Sequence, residues 1–265
     1  MQLDISHVTR YSYDRPVDYA LQQVRLSPPT TRQQKVITWE IGVEGGQIET
    51  TYLDHNQSRV HLVSVMPGST GVAITARGKV ETFDTAGVLG PVYGPAPLWY
   101  FLGSTPLTEA GEKIGALADG LRESPDMLGA LHDLSAAILA AAPYRIGETY
   151  SETTAEAALA GGSGVCQDHS QIFVAAARFA GIPARYISGY LKLEETVDQD
   201  AGHAWAEAHV PGLGWVGFDI SNGMSPDERY VRLAAGRDYR EAAPISGLRM
   251  GDAEESMIVS VQIQQ

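Results

Sequence analysis

The single cysteine of the chain, Cys166, stands where a thiol could be chemically reactive. It follows a glycine-rich stretch, residues 161–164, and the apolar spacing from Gln167 onward predicts a helix. The first amide groups of a helix lack intrahelical partners, and the helix dipole adds positive potential there. Both features favour a thiolate and could hold an oxyanion. A lone cysteine is more often a small buried hydrophobe, but this placement reverses that balance, and we interpret Cys166 as a nucleophile.

A thiol nucleophile needs a base, and the base needs a group that fixes its orientation. One block of the sequence, residues 202–219, contains a candidate for each role. We predict that His203 is the base for Cys166 and that Asp219 orients the imidazole.

The pairing of two predicted strands decides whether these two side chains meet. If Val210 pairs with Trp215, Asp219 points away from His203. If Val210 pairs with Gly214 across a three-residue loop, His203 and Asp219 lie diagonally on one face and within reach of each other. The sequence leaves both registers open, and a triad requires the second.

Two residues of the predicted helix offer alternatives to this assignment. His169 lies one turn after Cys166 and could be the base, although a neighbour on the same helix face rarely points at the preceding side chain. Its other reading is a capping or packing histidine. Asp168 either orients a group in the site or pairs as a first-turn acid with the helix dipole.

A metal centre is a further alternative for the same block. His203, Glu207 and His209 alternate on one strand face and could combine with Asp219 as ligands. Because a strand rises about 3.3 Å per residue, the two histidines would lie about 20 Å apart, too far for one ion. We therefore expect no metal and no cofactor.

The first of two regions that must position these residues is residues 1–104. Apolar and polar residues alternate there between turn signals, which predicts an all-β, sandwich-like domain. Residues 36–41 and 48–53 flank a predicted hairpin turn at 43–47. The Pro/Gly-rich stretch 90–97 marks the predicted domain boundary.

The second region, residues 105–265, predicts helices followed by strands, with one more strand at the C-terminus. Helical spacing covers 108–122 and 125–142 and continues in the helix after Cys166. Strands are predicted at 184–193 and in the block that holds His203. The fold class predicted for the whole chain is α+β.

Composition limits the partners. The formal net charge is −13, so phosphate backbones and anionic lipid surfaces would be repelled, and we expect no nucleic-acid or membrane partner. No stretch of about 18 apolar residues predicts a membrane span. The N-terminal residues lack a basic segment followed by an apolar run, so we expect no signal peptide and a cytoplasmic protein. One cysteine excludes an intramolecular disulfide.

Four blocks resemble, in order, the core motifs of the bacterial transglutaminase-like family: GSGVCQD at 162–168, GIPARY at 181–186, HAWAE at 203–207 and GWVGFD at 214–219. The N-terminal β region also resembles the domain that commonly precedes this core in bacterial members. The resemblance implies helices packed on an antiparallel sheet and a papain-like triad of Cys166, His203 and Asp219.

These inferences predict a cysteine-dependent acyltransferase, amidase or peptidase that acts on a protein or peptide through a thioester. Hydrolysis and transamidation both stay open, since either water or an amine can accept the acyl group. The alternative is a non-catalytic protein- or peptide-binding module built on the same fold.

Overall fold

The computed structural model describes residues 1–91, 94–194 and 196–265. Its strands are β1 (Gln2–Val17), β2 (Tyr19–Ser27), β3 (Gln34–Glu44), β4 (Gly46–Leu53), β5 (Arg59–Val65), β6 (Ser69–Thr82), β7 (Val88–Gly90), β8 (Ala184–Leu191), β9 (Asp198–Gln199), β10 (His203–Val210), β11 (Gly214–Phe218), β12 (Tyr230–Gly236), β13 (Ile245–Met250) and β14 (Glu255–Gln264). Its α-helices are α1 (Glu112–Leu117), α2 (Met127–Ala141), α3 (Ala155–Gly161), α4 (Cys166–Phe179) and α5 (Tyr239–Ala242), with a 3-10 helix at Leu98–Leu102.

The alternating N-terminal strands build two antiparallel sheets. The first has the strand order β3-β6-β1-β14-β9, and the second has the order β13-β2-β5-β4. Alternate side chains of β1 and β6, such as Ile5 and Ile74, are fully buried in one apolar cluster with Val24 and Val63 of the second sheet. Burial on one face of each sheet makes a sandwich, and the α+β fold with an N-terminal β region is confirmed.

The predicted hairpin at 43–47 is instead a crossing between the two sheets. β3 pairs with β6, whereas β4 pairs with β5. The turn at Gly45 has a φ of 78°, and a Cβ there would lie 2.4 Å from the Gly71 carbonyl oxygen. Two strands joined by a tight turn can therefore belong to facing sheets, which a local pattern does not distinguish from a hairpin.

The C-terminal strand lies with the N-terminal strands. β14 pairs with β1 from Asp4–Gln264 to Tyr13–Glu255, and β13 pairs with β2. The sequence placed this strand in the region 105–265, because strand pairing across the whole chain leaves no local signal. The boundary near residue 104 stays a prediction, and Val92 and Tyr93 of the stretch 90–97 lie outside the described residues.

A third antiparallel sheet carries the helices. Its strand order is β12-β8-β10-β11-β7, and α4 packs on one face through Ile172, Phe173 and Ala176. The helix predicted at 108–122 is limited to α1, and the one predicted at 125–142 is α2. This third sheet is hereafter called the core sheet.

The core sheet also packs against the sandwich. Tyr190 on β8, with Val231 and Leu233 on β12, is buried in the same apolar cluster as Leu3 and Ile5. The sandwich and the core sheet therefore share one apolar cluster. In the part of the chain that the structure describes, no helix has the length and apolar character needed to cross a membrane.

Candidate active site

The N-terminus of α4 positions Cys166. Asp168 is buried, and its Oδ2 accepts hydrogen bonds from the Val165 amide at 2.9 Å and the Thr149 hydroxyl at 2.7 Å. This carboxylate caps the helix and joins it to the preceding loop, which is the first-turn role that the sequence left open. Cys166 is the first helical residue, is partly exposed and has a free thiol.

Gly164 allows this cap to form. A Cβ at Gly164 would lie 2.8 Å from the Asp168 Cβ, closer than real Cβ atoms approach one another. The glycine-rich stretch before Cys166 therefore serves packing at this position, since Asp168 occupies the space that any larger residue would fill.

The strand register is the one that a triad requires. Val210 pairs with Gly214, and a three-residue loop, residues 211–213, joins the two strands. Gly212 has a φ of 83° and Gly214 a φ of 81°, backbone conformations that favour glycine. This register places Asp219 just beyond the end of β11, on the side of the sheet that His203 faces.

Asp219 and His203 are joined by a short hydrogen bond. His203 Nε2 lies 2.6 Å from Asp219 Oδ2. The same oxygen accepts hydrogen bonds from Asn222 Nδ2 and from the Tyr230 hydroxyl, each at 2.7 Å. Asp219 is fully buried, so its charge depends on these donors. Because Nε2 is held by Asp219, Nδ1 is the ring nitrogen left for the Cys166 thiol.

The ionisation of this pair follows from its contacts. Burial alone would lower the pKa of His203, but the hydrogen bonds and charges of Asp219 and Cys166 raise it to about 10. Burial alone would raise the pKa of Asp219, but the His203 imidazolium and the bonds from Asn222 and Tyr230 hold that pKa below its usual value. The geometry therefore favours a protonated His203 beside the Asp219 carboxylate.

Cys166 and His203 line one open cavity of about 330 Å³. One wall comes from α4, β8 and β10, and the opposite wall comes from the sandwich through β1 and β14. The lining residues are His7, Thr9, Tyr11, Val165, Cys166, Gln167, Tyr186, Ser188, Asp200, Ala201, Gly202, His203, Ala204, Tyr239, Pro244, Ile245, Met257 and Val259. A ligand that reaches the sulfur therefore also contacts the sandwich.

The His169 side chain forms its hydrogen bonds away from the cavity. It is fully buried and absent from the cavity lining. Its Nε2 lies 2.7 Å from the Ala142 carbonyl, which can only accept, so Nε2 carries the proton and donates. Its Nδ1 lies 2.8 Å from the Ser221 hydroxyl. Burial lowers the pKa of His169, and a neutral ring then accepts at Nδ1, as expected of a packing histidine.

The remaining residues of the metal alternative lie apart from His203. Glu207 is buried between Arg185 and Arg232 and forms ion pairs with both. His209 packs edge-on against Trp215, with ring centroids 5.6 Å apart. Over residues 1–91, 94–194 and 196–265, no group of three or more His, Cys, Asp or Glu side chains is placed to hold a metal ion.

Sequence reasoning missed two residues that hold Asp219. Asn222 follows Asp219 by three residues, and its amide nitrogen also lies 3.2 Å from Asp219 Oδ1, so an Asx-type turn was a local signal that could have identified it. Tyr230 lies on β12 and reaches Asp219 only through the fold. The sequence likewise did not predict that the sandwich forms one wall of the cavity.

Two family models match the chain. The Transglutaminase-like superfamily model matches residues 115–220, which include Cys166, His203 and Asp219. The Bacterial transglutaminase-like N-terminal region model matches residues 3–81, from β1 to β6. The two matches lie in the order that the sequence motifs indicated.

Individual proteins also resemble this chain in sequence. An uncharacterised protein of Mycobacterium leprae (strain TN) is 26% identical over 282 residues, covering 99% of this chain and 98% of that protein. A protein-glutamine gamma-glutamyltransferase of Pseudomonas aeruginosa is 34% identical over 98 residues, covering 33% of this chain and 15% of that protein. The second match is confined to a small part of a much longer protein.

The fold recurs in a solved structure. A Cytophaga hutchinsonii protein, described as a candidate cysteine protease, superposes with a TM-score of 0.78 at 23% identity, covering 100% of this chain and 91% of that one. Sandwich and core sheet therefore occur together in another protein. With both family models matched in order, the chain belongs to the transglutaminase-like superfamily and carries the bacterial transglutaminase-like N-terminal region ahead of its core.

Proposed function

We propose that this protein is a cysteine-dependent enzyme that transfers or hydrolyses acyl groups of protein or peptide substrates through a thioester on Cys166. The observation that carries the proposal is the placement of His203. Its ring is hydrogen-bonded to the buried Asp219, and it lines one open cavity together with the partly exposed thiol of Cys166. A thiol with this surrounding has a base and an orienting carboxylate at hand.

In the first half of the reaction, the Cys166 sulfur attacks the carbonyl carbon of a carboxamide or peptide bond. The negative oxygen that forms is stabilised by the amide of Cys166 at the helix N-terminus. His203 then gives its Nδ1 proton to the leaving amine as the C–N bond breaks. The products of this half are a free amine, a neutral His203 and a thioester on Cys166.

In the second half, an acceptor releases the acyl group. Water or an amine gives a proton to Nδ1 of His203 and attacks the thioester carbonyl, and the Cys166 thiolate leaves as the pair returns to its starting state. Water yields a carboxylic acid, whereas an amine yields a new amide. Asp219 keeps the imidazole in the orientation that both halves require.

The relatives support the reaction class and leave the acceptor open. The Pseudomonas aeruginosa relative is named for glutamyl transfer, and the Cytophaga hutchinsonii neighbour is described as a candidate cysteine protease. Transamidation and proteolysis share the thioester half-reaction, so one enzyme site serves either outcome.

We propose the cytoplasm as the compartment, where a reducing environment keeps the lone Cys166 thiol free.

Trapping of the thioester tests the proposal. The purified protein is incubated with a peptide digest of casein, quenched in acid and analysed by mass spectrometry of the Cys166 peptide. We expect acyl adducts on Cys166 that hydroxylamine removes. The Cys166→Ser variant has no thiol at this position and should carry no thioester. Absence of any adduct, together with alkylation of Cys166 no faster than that of an ordinary thiol, would favour the binding-module alternative.

A further inference from the structure

One edge of the first sandwich sheet is open beside the cavity. β14 pairs with β1 on one side along its whole length. On its other side, β9 pairs only with Val261 and Gln262. Within the described residues, no other strand covers the outer edge of residues 255–260, and this segment is hereafter called the open edge.

The hydrogen bonds at its two ends show which backbone groups point outward. Ile263 donates its amide to Val197 at 3.2 Å, on the outer side. Glu254 accepts from the Asp14 amide at 3.1 Å, on the β1 side. Because backbone groups alternate along a strand, the N–H and C=O groups of Met257 and Val259 point outward.

These outward groups are available to a ligand. Met257 is 56% exposed and Ile258 is 68% exposed. In the portions of the chain that the structure describes, no main-chain or side-chain group forms a hydrogen bond with the outward N–H and C=O groups of Met257 and Val259. An uncovered strand edge of this kind readily pairs with another extended chain.

The open edge belongs to the cavity that holds the thiol. The side chains of Met257 and Val259 line the same cavity as Cys166 and His203. A chain that lies along this edge therefore runs beside the cavity. Six residues of strand span about 20 Å, which is enough for several residues of an extended peptide.

The charge of the cavity limits which peptide fits. Among the described residues that line the cavity, Asp200 is the one carboxylate, and none is a lysine or an arginine. The whole chain carries a net charge of −13. An acidic peptide would be repelled, so the surface suits a neutral or basic segment.

We propose that the substrate is an extended, neutral or basic peptide segment that adds as a strand to the open edge of β14 and so delivers its carbonyl to Cys166. Main-chain hydrogen bonds to Met257 and Val259 supply affinity, and the apolar lining contacts alternate side chains. This inference rests on the proposed function, because it specifies how the substrate of that same thiol binds.

The test compares three alkylating reagents on the intact protein. The first is a neutral acetyl-tetrapeptide chloromethyl ketone, whose ketone methylene forms a thioether with Cys166 as chloride leaves. The second is the same peptide with N-methylated amides, which cannot donate to a strand. The third is iodoacetamide, which carries no peptide. We expect N-methylation to slow inactivation by about tenfold, as expected from the loss of one or two hydrogen bonds.

A matched pair of variants examines the protein side of the same bonds. Val259→Pro removes an outward N–H and leaves the amides that face β1, as proline at a sheet edge allows. Val259→Ala keeps the N–H and shortens the side chain. Each peptide rate is divided by the iodoacetamide rate of the same variant, and we expect this ratio to be about tenfold lower for Val259→Pro than for Val259→Ala.

The outcomes separate the two proposals. Equal rates for the plain and N-methylated peptides on the unmodified protein, with rapid alkylation by iodoacetamide, would overturn strand addition alone. This comparison does not depend on how the proline variant folds. Slow alkylation of Cys166 by all three reagents would overturn the proposed function and strand addition with it.

Discussion

At the scale of single residues, Asp219 holds the His203 side chain of the candidate site in place. Three donors reach its Oδ2, and the side chain is fully buried. A buried carboxylate with this many donors is rigid, and it holds the His203 ring in one orientation. The carboxylate therefore contributes to stability and to orientation at once.

We predict that Asp219→Asn folds but loses most of its acyl-transfer activity. The amide brings an N–H toward donors that already point at Oδ2, which costs about 1–3 kcal/mol of unfolding free energy and disturbs the His203 tautomer. Urea unfolding and single-turnover acylation measure the two effects. Tyr230→Phe is the control, because it removes one donor and leaves the bond to His203. Equal activity of Asp219→Asn and the unmodified protein would contradict the orienting role.

A second prediction concerns pH. The pKa of His203 is raised from 6.5 to about 10 by its partners. The stability that the imidazolium contributes is therefore fully present below about pH 6.5 and is lost as the pH rises toward about 10. We expect the stability advantage of the unmodified protein over His203→Gln to shrink across that interval, as measured by urea unfolding in a pH series. An advantage that stays constant from neutral pH to about pH 10 would show that the charge contributes nothing.

The contact between His203 and Asp219 could be predicted from the sequence once the strand register was chosen. Cys166, His203 and Asp219 each have a residue type with a known role and a local setting that marks it. Tyr230 could not be predicted, since a tyrosine on a buried strand has no feature that distinguishes a site residue from a core residue. The sequence already favoured His203 over His169, because a neighbour on the same helix face rarely points at the preceding side chain.

At the scale of elements, the N-terminus of α4 sets the position of the sulfur. The cap formed by Asp168 occupies the space beside Gly164, so the loop and the helix fit only with glycine there. The same turn holds the amide that would stabilise an oxyanion. A change in the loop should therefore alter both stability and reactivity.

We predict that Gly164→Ala destabilises the protein by about 1–2 kcal/mol, as expected from the loss of a helix cap, and slows Cys166 alkylation. The new Cβ would lie 2.8 Å from the Asp168 Cβ and displace the carboxylate. Gly161→Ala is the matched control, because no atom lies within 4 Å of a Cβ built there. Thermal unfolding and alkylation rates of the two variants give the comparison, and equal behaviour would contradict the packing role of Gly164.

Strand and helix positions were largely predictable, but strand partners were not. Alternation located β3 and β4 correctly in the sequence, yet the turn between them joins two different sheets. The helix predicted at 108–122 is present only over Glu112–Leu117. Alternation reports which side of a strand is buried and carries no information about which strand lies beside it.

At the scale of the whole molecule, the sandwich and the core sheet share buried surface. Tyr190 of β8 lies in the sandwich cluster and its hydroxyl lies 2.8 Å from His7 Nδ1. The Gln34 side chain bonds to the main chain of Arg232 on β12. With β13 and β14 also paired to N-terminal strands, both regions depend on the same contacts.

We therefore predict one cooperative unfolding transition. Ile5→Ala, in the sandwich, should destabilise the protein by about 2–5 kcal/mol and lower the midpoint reported by the tryptophans of the core sheet, Trp205 and Trp215. Calorimetry and tryptophan fluorescence measure the two signals. Two separate transitions, with the tryptophan signal unmoved by Ile5→Ala, would contradict the shared core.

We propose that His203 activates Cys166, and the rate of Cys166 alkylation by iodoacetamide at about pH 6 measures this activation. At that pH an ordinary thiol is under about 1% thiolate, so rapid reaction requires a stabilising partner. We predict rapid alkylation of the unmodified protein, a rate roughly a hundredfold lower for His203→Ala, and a rate within a few-fold of the unmodified protein for His169→Gln. Loss of reactivity in His169→Gln, with His203→Ala still rapid, would contradict the assignment of His203 as the base.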